Sequence, residues 1–438
     1  MTARAPSASL ILTDAERAML DGREGKARQK AMLLLVRYAE ALGAERFVET
    51  NNVAGVPGTY TPFLFNYYGA TRENAYDLIY SRFDLDSDEV VTVPNMTVHS
   101  CHLQGGVDPE GWQILGAKPE ALQASQDSEQ AASAKGIEIL KTCTPYIAGN
   151  VPARGEHCAW MESSAVVYCN SVLGARTNTE GRESTSAAML TGRIPDWGLH
   201  RDANRFGSHH IEVDVPVESL MDWGMLGYFV GARVGERIPV LTGRYGTPDL
   251  IRYKHFGAAA ASSGGVEMYH LVGVTPEAPS FESAFGPNRP VERIRYGLEE
   301  RRRTYEELNA RGTDRNVDYV MLGCPHAALE QMEEIAGLLE GKRISANCNL
   351  WVFTSRAIKA VADSRGLTRT IRNAGGAVLT DTCSAIGQAL PPGTRVGALD
   401  SAKQAHYLPA IMGIQSWFGS TRDCIDAAIT GHWNGELT

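Results

Sequence analysis

Several absences narrow this chain before any motif is considered. Its eight cysteines, at positions 101, 143, 158, 169, 324, 348, 383 and 424, form no CxxC pair and no compact spacing. A disulfide framework is therefore not written in the sequence, and a metal held by these thiols requires residues far apart along the chain to meet. No stretch reaches the roughly 20 apolar residues that a bilayer span needs. The amino terminus, MTARAPSASLILTDAERAML, has one arginine and a very short apolar patch before acidic residues appear, unlike a secretory signal. The expectation is a cytoplasmic protein with no membrane partner. Positive charge is also scarce: 42 Lys and Arg stand against 51 Asp and Glu, a net charge of −9, and no polybasic run occurs. That balance argues against nucleic acid as a partner.

What is present is ordinary globular material, 43% hydrophobic and 21% charged over 438 residues. That length suits two or three domains. Composition divides it into an N-terminal α/β region (1–150), a central α/β region (151–290) and a C-terminal parallel α/β/α domain (291–438). Residues 276–290 carry four prolines and little periodicity and read as a linker, followed by a charged helix over roughly 291–311. The last third is the most legible. Strands at Val317–Leu322, Leu350–Phe353 and Ala377–Leu379 alternate with helical periodicity, such as Leu329, Met332, Ile335, Ala336 and Leu339. This β-α-β-α-β rhythm predicts a parallel sheet with helices on both faces.

The densest polar stretch runs from Gly155 to Gly181, where Glu162, Ser163, Ser164, Asn170, Ser171, Arg176, Thr177 and Asn178 sit among small residues. It can line a pocket, with Arg176 offering a forked guanidinium for a carboxylate or phosphate. It can equally be a capped polar helix start followed by a turn. Asn51, between a short strand at Phe47–Thr50 and a glycine-bearing loop, is a candidate polar loop tip or an Asx turn. His99, Cys101 and His102 cluster as metal ligands sometimes do, although strand alternation puts His102 on the opposite face from the other two. A capping box at Thr13–Glu16 opens a pair of helices broken near Gly22.

Cys143, Cys324 and Cys383 share a local character: each follows a strand and has small or hydroxyl-bearing neighbours. Ligands of open parallel sheets bind beyond the carboxyl ends of strands, which brings Cys324 and Cys383 to one crevice mouth. Three thiolates meeting there suit an iron-sulfur cluster with an open iron or a zinc ion with an open position. Three independent buried cysteines are the plain alternative.

The runs TCTPYIAGNVPARGEHCAWMESSAVVYCNSVLGARTN, SSGGVEMYHLVGVTPEA, LGCPHAALEQ, TDTC and DSAKQAHY, in that order, resemble the large component of the aconitase X family. The likeness extends from about Leu12 to Gly431. It implies an aconitase-like, multi-domain α/β/α architecture with parallel sheets, and a lyase that eliminates water from a small hydroxy acid. One group of that family acts on cis-3-hydroxy-L-proline and another on mevalonate 5-phosphate. The resemblance implies Cys143, Cys324 and Cys383 as ligands of an iron-sulfur cluster, whether 2Fe-2S, 3Fe-4S or 4Fe-4S. It places Glu162, Ser163, Ser164, Arg176, Thr177, Asn178 and Lys403 in pocket motifs. From these follow the expected roles: Glu162, Ser164 and Lys403 catalytic, with a desolvated Lys403 as a base; Asn51, Ser163, Arg176, Thr177, Asn178 and Ser401 on the substrate. Arg193, Arg201 and Arg205 are the further cations a phosphate could use. The family also carries a small swivelling domain, fused or on a separate subunit; none is expected within this chain, so a small-subunit partner is.

Overall fold

Three purely parallel sheets and one short antiparallel ribbon organise residues 10–437, the part the computed structural model describes. The first sheet has the order Ile137–Glu138, His99–His102, Asn52–Gly55, Cys158–Trp160. The second is Glu292–Tyr296, His209–Val217, Pro239–Tyr245, His270–Leu271. The third is Ala377–Leu379, Asn349–Thr354, Tyr319–Ala327, Val396–Leu399, Gln415–Phe418. The ribbon pairs Phe47–Glu49 with Arg193–Pro195.

The third sheet shows why its sequence folds this way. Every residue of Tyr319–Ala327 is buried, as a strand covered on both faces must be. Alternate side chains enter two different cores. Val320, Leu322, Val352 and Val378 pack on one side with the helix Leu329–Leu339, while Tyr319, Met321, Trp351, Phe353 and Leu379 face the other. That second core also receives Met221, Met225 and Tyr228 from the helix Leu220–Val234 and Ala259 from the helix Leu250–Gly264. The opposite sides of these two helices, through Trp223, Phe229, Val230 and Phe256, cover the second sheet. They are thus a shared layer. Glycine permits their close approach: a Cβ on Gly231 would lie 2.3 Å from the Ala260 carbonyl oxygen.

Several local expectations are met, including the reciprocal capping box at Thr13 and Glu16 and the helices Asp14–Leu20 and Lys26–Leu42. Others are corrected. Residues 291–311 are a strand, Glu292–Tyr296, followed by the helix Leu298–Leu308. Ile294 and Tyr296 alternate inward while the strand hydrogen-bonds to His209–Val213, so period-two burial and the break at Gly297 override the helical charge pattern. The proline-rich 276–290 segment holds a capped turn of helix, Phe281–Phe285, with Ala278 and Phe285 buried. Asn51 precedes the parallel strand Asn52–Gly55 and is exposed, so it marks the amino edge of the first sheet.

Candidate functional site

The carboxyl ends of strands in the first and third sheets face one another, and each contributes side chains to one buried crevice. Glu162 follows Cys158–Trp160, and Cys143 lies beyond Ile137–Glu138. From the third sheet come Cys324 in the irregular end of Tyr319–Ala327, Cys383 after Ala377–Leu379, and Ser401 and Lys403 after Val396–Leu399. Gly323 makes the bend before Cys324 at φ +88°, where a Cβ would lie 2.0 Å from the Phe353 carbonyl oxygen.

Each sulfur has donors aimed at it. The His326 backbone N–H donates to Cys143 Sγ at 3.3 Å. Gln404 Nε2 donates to Cys324 Sγ at 3.1 Å, and the Ser401 hydroxyl also hydrogen-bonds to it. Cys383 accepts from the backbone N–H groups of Ala385 and Ile386. Burial pushes all three thiols above their ordinary range, Cys383 to about 12. Cys324 contributes to the electrostatic shift of both Cys143 and Cys383, so the three sulfurs share one environment.

Against them lies an ion pair. Lys403 Nζ donates to Glu162 Oε1 at 2.7 Å, and Ser164 Oγ donates to the same oxygen at 3.0 Å. Burial alone would raise the Glu162 pKa, but Lys403 and Ser164 outweigh it and hold the carboxyl below its ordinary 4.5. Burial alone would lower Lys403. Glu162, with Cys324 and Cys143 nearby, outweighs that and raises it well above the ordinary lysine value. In this pairing the Lys403 ammonium is stabilised in its charged form by its counter-ion.

Models of the aconitase X first, second and third domains match residues 9–203, 207–306 and 317–430. The chain belongs to the aconitase X family. It is 34% identical to the phosphomevalonate dehydratase large subunit of Methanocaldococcus jannaschii, over 95% of this chain and 99% of that protein. It is also 34% identical to the cis-3-hydroxy-L-proline dehydratase of Hypocrea jecorina, over 98% of this chain and 70% of that protein. A crystal structure of Thermococcus kodakaraensis aconitase X in its holo-form superposes with a TM-score of 0.78 at 30% identity, covering 96% of this chain and all of the other. The Methanocaldococcus and Hypocrea relatives are named dehydratases, and the chain is a hydro-lyase of the aconitase X family.

In aconitase X terms the crevice joins the first domain, with Cys143, Glu162 and Ser164, to the third, with Cys324, Cys383, Ser401 and Lys403. The remaining expected residues go elsewhere. Arg176 is ion-paired with Asp202 and donates to the His200 carbonyl at 3.0 Å. Thr177 Oγ1 accepts the Trp160 backbone N–H at 3.0 Å and donates to the Asn178 carbonyl. Asn178 accepts from the Leu199 N–H at 2.8 Å and donates to the Trp197 carbonyl at 3.2 Å. Ser163 lines a separate cleft of about 760 Å³ together with Asn178, Thr179 and Glu267. Asn51 stands at the wrong edge of its sheet for the crevice. The arginines considered for phosphate are also engaged: Arg193 with Glu16 and Glu49, Arg201 with Asp196, Arg205 with Glu277.

The His99, Cys101 and His102 cluster disperses: His99 faces Glu138, Cys101 accepts from Asn150, and His102 contacts Thr59. Among the described residues no three His, Cys, Asp or Glu lie close enough to hold one metal ion. A polynuclear cluster has a different requirement, because each thiolate binds its own iron and the sulfurs stand further apart. No described helix is long and apolar enough to cross a membrane. Gln404, His326 and Lys254 were not singled out from sequence, although Gln404 and His326 lie inside the DSAKQAHY and LGCPHAALEQ runs.

Proposed function

We propose that this chain is the large subunit of an iron-sulfur dehydratase that works in the cytoplasm with a small subunit and converts cis-3-hydroxy-L-proline to a pyrroline carboxylate. The observation that carries the reading is the Lys403–Glu162–Ser164 chain set against three buried thiols in one crevice. The donor set fits a cluster: three buried cysteine sulfurs, each already receiving an N–H or O–H, are the surroundings that hold and tune such a group. Cys143, Cys324 and Cys383 would hold the cluster, which when bound would supply Lewis acidity toward the substrate hydroxyl.

The chain's own residues supply the rest. Water leaves as the C3 hydroxyl and the C2 proton of the substrate, and the resulting C2=C3 enamine tautomerises to the imine, gaining a proton at C3 and losing the one on the ring nitrogen. Glu162, kept ionised by Lys403, is the acceptor for the C2 proton. Ser164 orients the carboxylate through its bond to Oε1. The Lys403 ammonium offsets negative charge that builds on the substrate carboxylate during proton removal. Ser401 holds Cys324 rather than substrate.

The engagement of Arg176, Arg193, Arg201 and Arg205 with carboxylates favours a substrate without a phosphate. End-to-end similarity to the Methanocaldococcus jannaschii large subunit favours the second reading, mevalonate 5-phosphate. The test is turnover of each substrate by the full chain, reconstituted anaerobically and mixed with its small subunit. Pyrroline carboxylate formation supports the first reading; dehydration of mevalonate 5-phosphate alone replaces it; loss of neither substrate by an iron-loaded complex defeats both.

A further inference from the structure

The three thiols belong to loops that are distant in sequence, and one side chain of the Cys324 loop bonds to the other two loops. His326, two residues beyond Cys324, is buried, and its Nε2 lies 3.0 Å from the Thr382 carbonyl oxygen. A carbonyl oxygen only accepts, so Nε2 carries the hydrogen. In the neutral ring Nδ1 is then an acceptor, and it lies 2.9 Å from the Thr142 hydroxyl, which donates. Thr142 in turn receives the Thr144 backbone N–H at 3.1 Å. Thr142 immediately precedes Cys143 and Thr382 immediately precedes Cys383. The His326 backbone N–H adds the bond to Cys143 Sγ.

The histidine is itself anchored from behind. Lys254, fully buried on the helix Leu250–Gly264, donates to the carbonyls of Pro325 and His326 at 3.2 and 2.8 Å and to Gln331 Oε1 at 2.6 Å. The middle segment thus holds the loop that holds the other two.

We propose that His326 is a positioning residue that fixes the mutual spacing of Cys143, Cys324 and Cys383, with Lys254 as its anchor, so that the thiols are set for a cluster before it arrives. Its purpose rests on the iron-sulfur reading above; the ordering of the loops is measurable without iron. Two hydrogen bonds in a buried setting are worth about tenfold or more in the population of opened loops.

The experiment uses the full-length chain in two states. In the metal-free state, alkylation rates of individual cysteines are followed by mass spectrometry, with buried Cys101 as the internal reference. Relative to it, His326→Ala speeds modification of Cys143 and Cys383 by about tenfold or more. His326→Gln, which keeps an N–H for the Thr382 carbonyl, restores protection at Cys383 and not at Cys143. A general loosening of the fold would move Cys101 as well, and so separates an unstable variant from a lost tie. Should His326→Ala fail to fold by circular dichroism, Thr142→Val, nearly the same shape, becomes the deciding variant and speeds Cys143 alone. In the reconstituted state His326→Ala holds less iron per chain and yields it faster to a chelator. Unchanged alkylation of Cys143 and Cys383 in the folded variant overturns the proposal. Wild-type protein that takes up no iron overturns the cluster reading instead, while the alkylation result still decides whether His326 orders the loops.

Discussion

The two halves of the Gly155–Gly181 stretch are equally polar and have opposite fates. In the first half, Glu162 takes Lys403 from 241 residues away and Ser164 from two, and the resulting charge pair sits among thiols that feel it. In the second half, Arg176, Thr177 and Asn178 spend their donors and acceptors on Asp202, backbone carbonyls and backbone N–H groups of the loops they brace. The side chains named in both halves have partners, as buried polar groups usually do. The difference lies in what satisfies them. Thr177 and Asn178 close on the backbone and Arg176 on a carboxylate open to solvent, whereas Glu162 and Lys403 close on one another in a buried crevice beside the thiols, where a proton or a charge can still be exchanged.

That contrast can be broken by substitution. The largest effect is expected at the sulfurs: Cys383→Ser removes iron and activity together after reconstitution, while Cys424→Ala, a buried cysteine of the helix Thr421–Thr430, keeps both. Equal iron content in the two variants would dissolve the special status of the crevice. Next is Glu162→Gln, which preserves shape and iron but lowers kcat by roughly 10²–10⁴-fold, the usual contribution of a positioned acid or base. A loss below tenfold would move the proton acceptor elsewhere.

A smaller effect concerns stability and pH at the back of the crevice. Burial raises the Asp400 carboxyl from its ordinary 3.8 to about 7, with Thr421 and Lys254 offsetting only part of it. Below pH 3.8 the group is protonated in the folded and unfolded chain alike and costs nothing. Between 3.8 and about 7 the unfolded chain releases this proton and the folded chain keeps it, so the contribution to stability falls as pH rises and levels off above 7. Asp400→Asn is therefore more stable than wild type at pH 8, by on the order of 2 kcal/mol, with the gain shrinking toward pH 4. Urea unfolding at the two pH values measures it, and a gain that is the same at both contradicts the assignment. The smallest effect belongs to the other half of the stretch. Arg176→Ala removes an ion pair whose partner Asp202 is mostly exposed. It costs about 1 kcal/mol or less in thermal unfolding and leaves kcat within a few-fold. A loss of hundredfold in kcat would restore Arg176 to the substrate.

Much of the third sheet was legible because its strands are short apolar runs separated by helical periodicity, a pattern fixed by burial on both faces. The first sheet was harder. Its strands are two to four residues long, and Asn52–Gly55 contains no bulky side chain except Val53, so the central strand that begins just after the exposed bend at Asn51 was not recognised. Divisions drawn at 150 and 290 follow composition, whereas hydrogen-bonded sheets span 52–160, 209–296 and 319–418. For the site, the resemblance brought the cysteines, Glu162, Ser164 and Lys403 forward as members of recurring runs. The sign of the Lys403 shift was not available there, since it depends on a carboxylate 241 residues distant. His326 and Gln404 were passed over for the same reason: alone in sequence, each is an ordinary buried side chain.

Two links span the chain, His326 with Thr142 and the Thr382 carbonyl, and Lys403 with Glu162, and both need its last third. A ribosome that has released the first two thirds of this polypeptide has made one of the three sulfurs and the glutamate, but neither the lysine that charges it nor the histidine that spans the loops. On the proposed cluster reading, iron delivery waits for a nearly finished molecule, because Cys324 and Cys383 are made only in the last third.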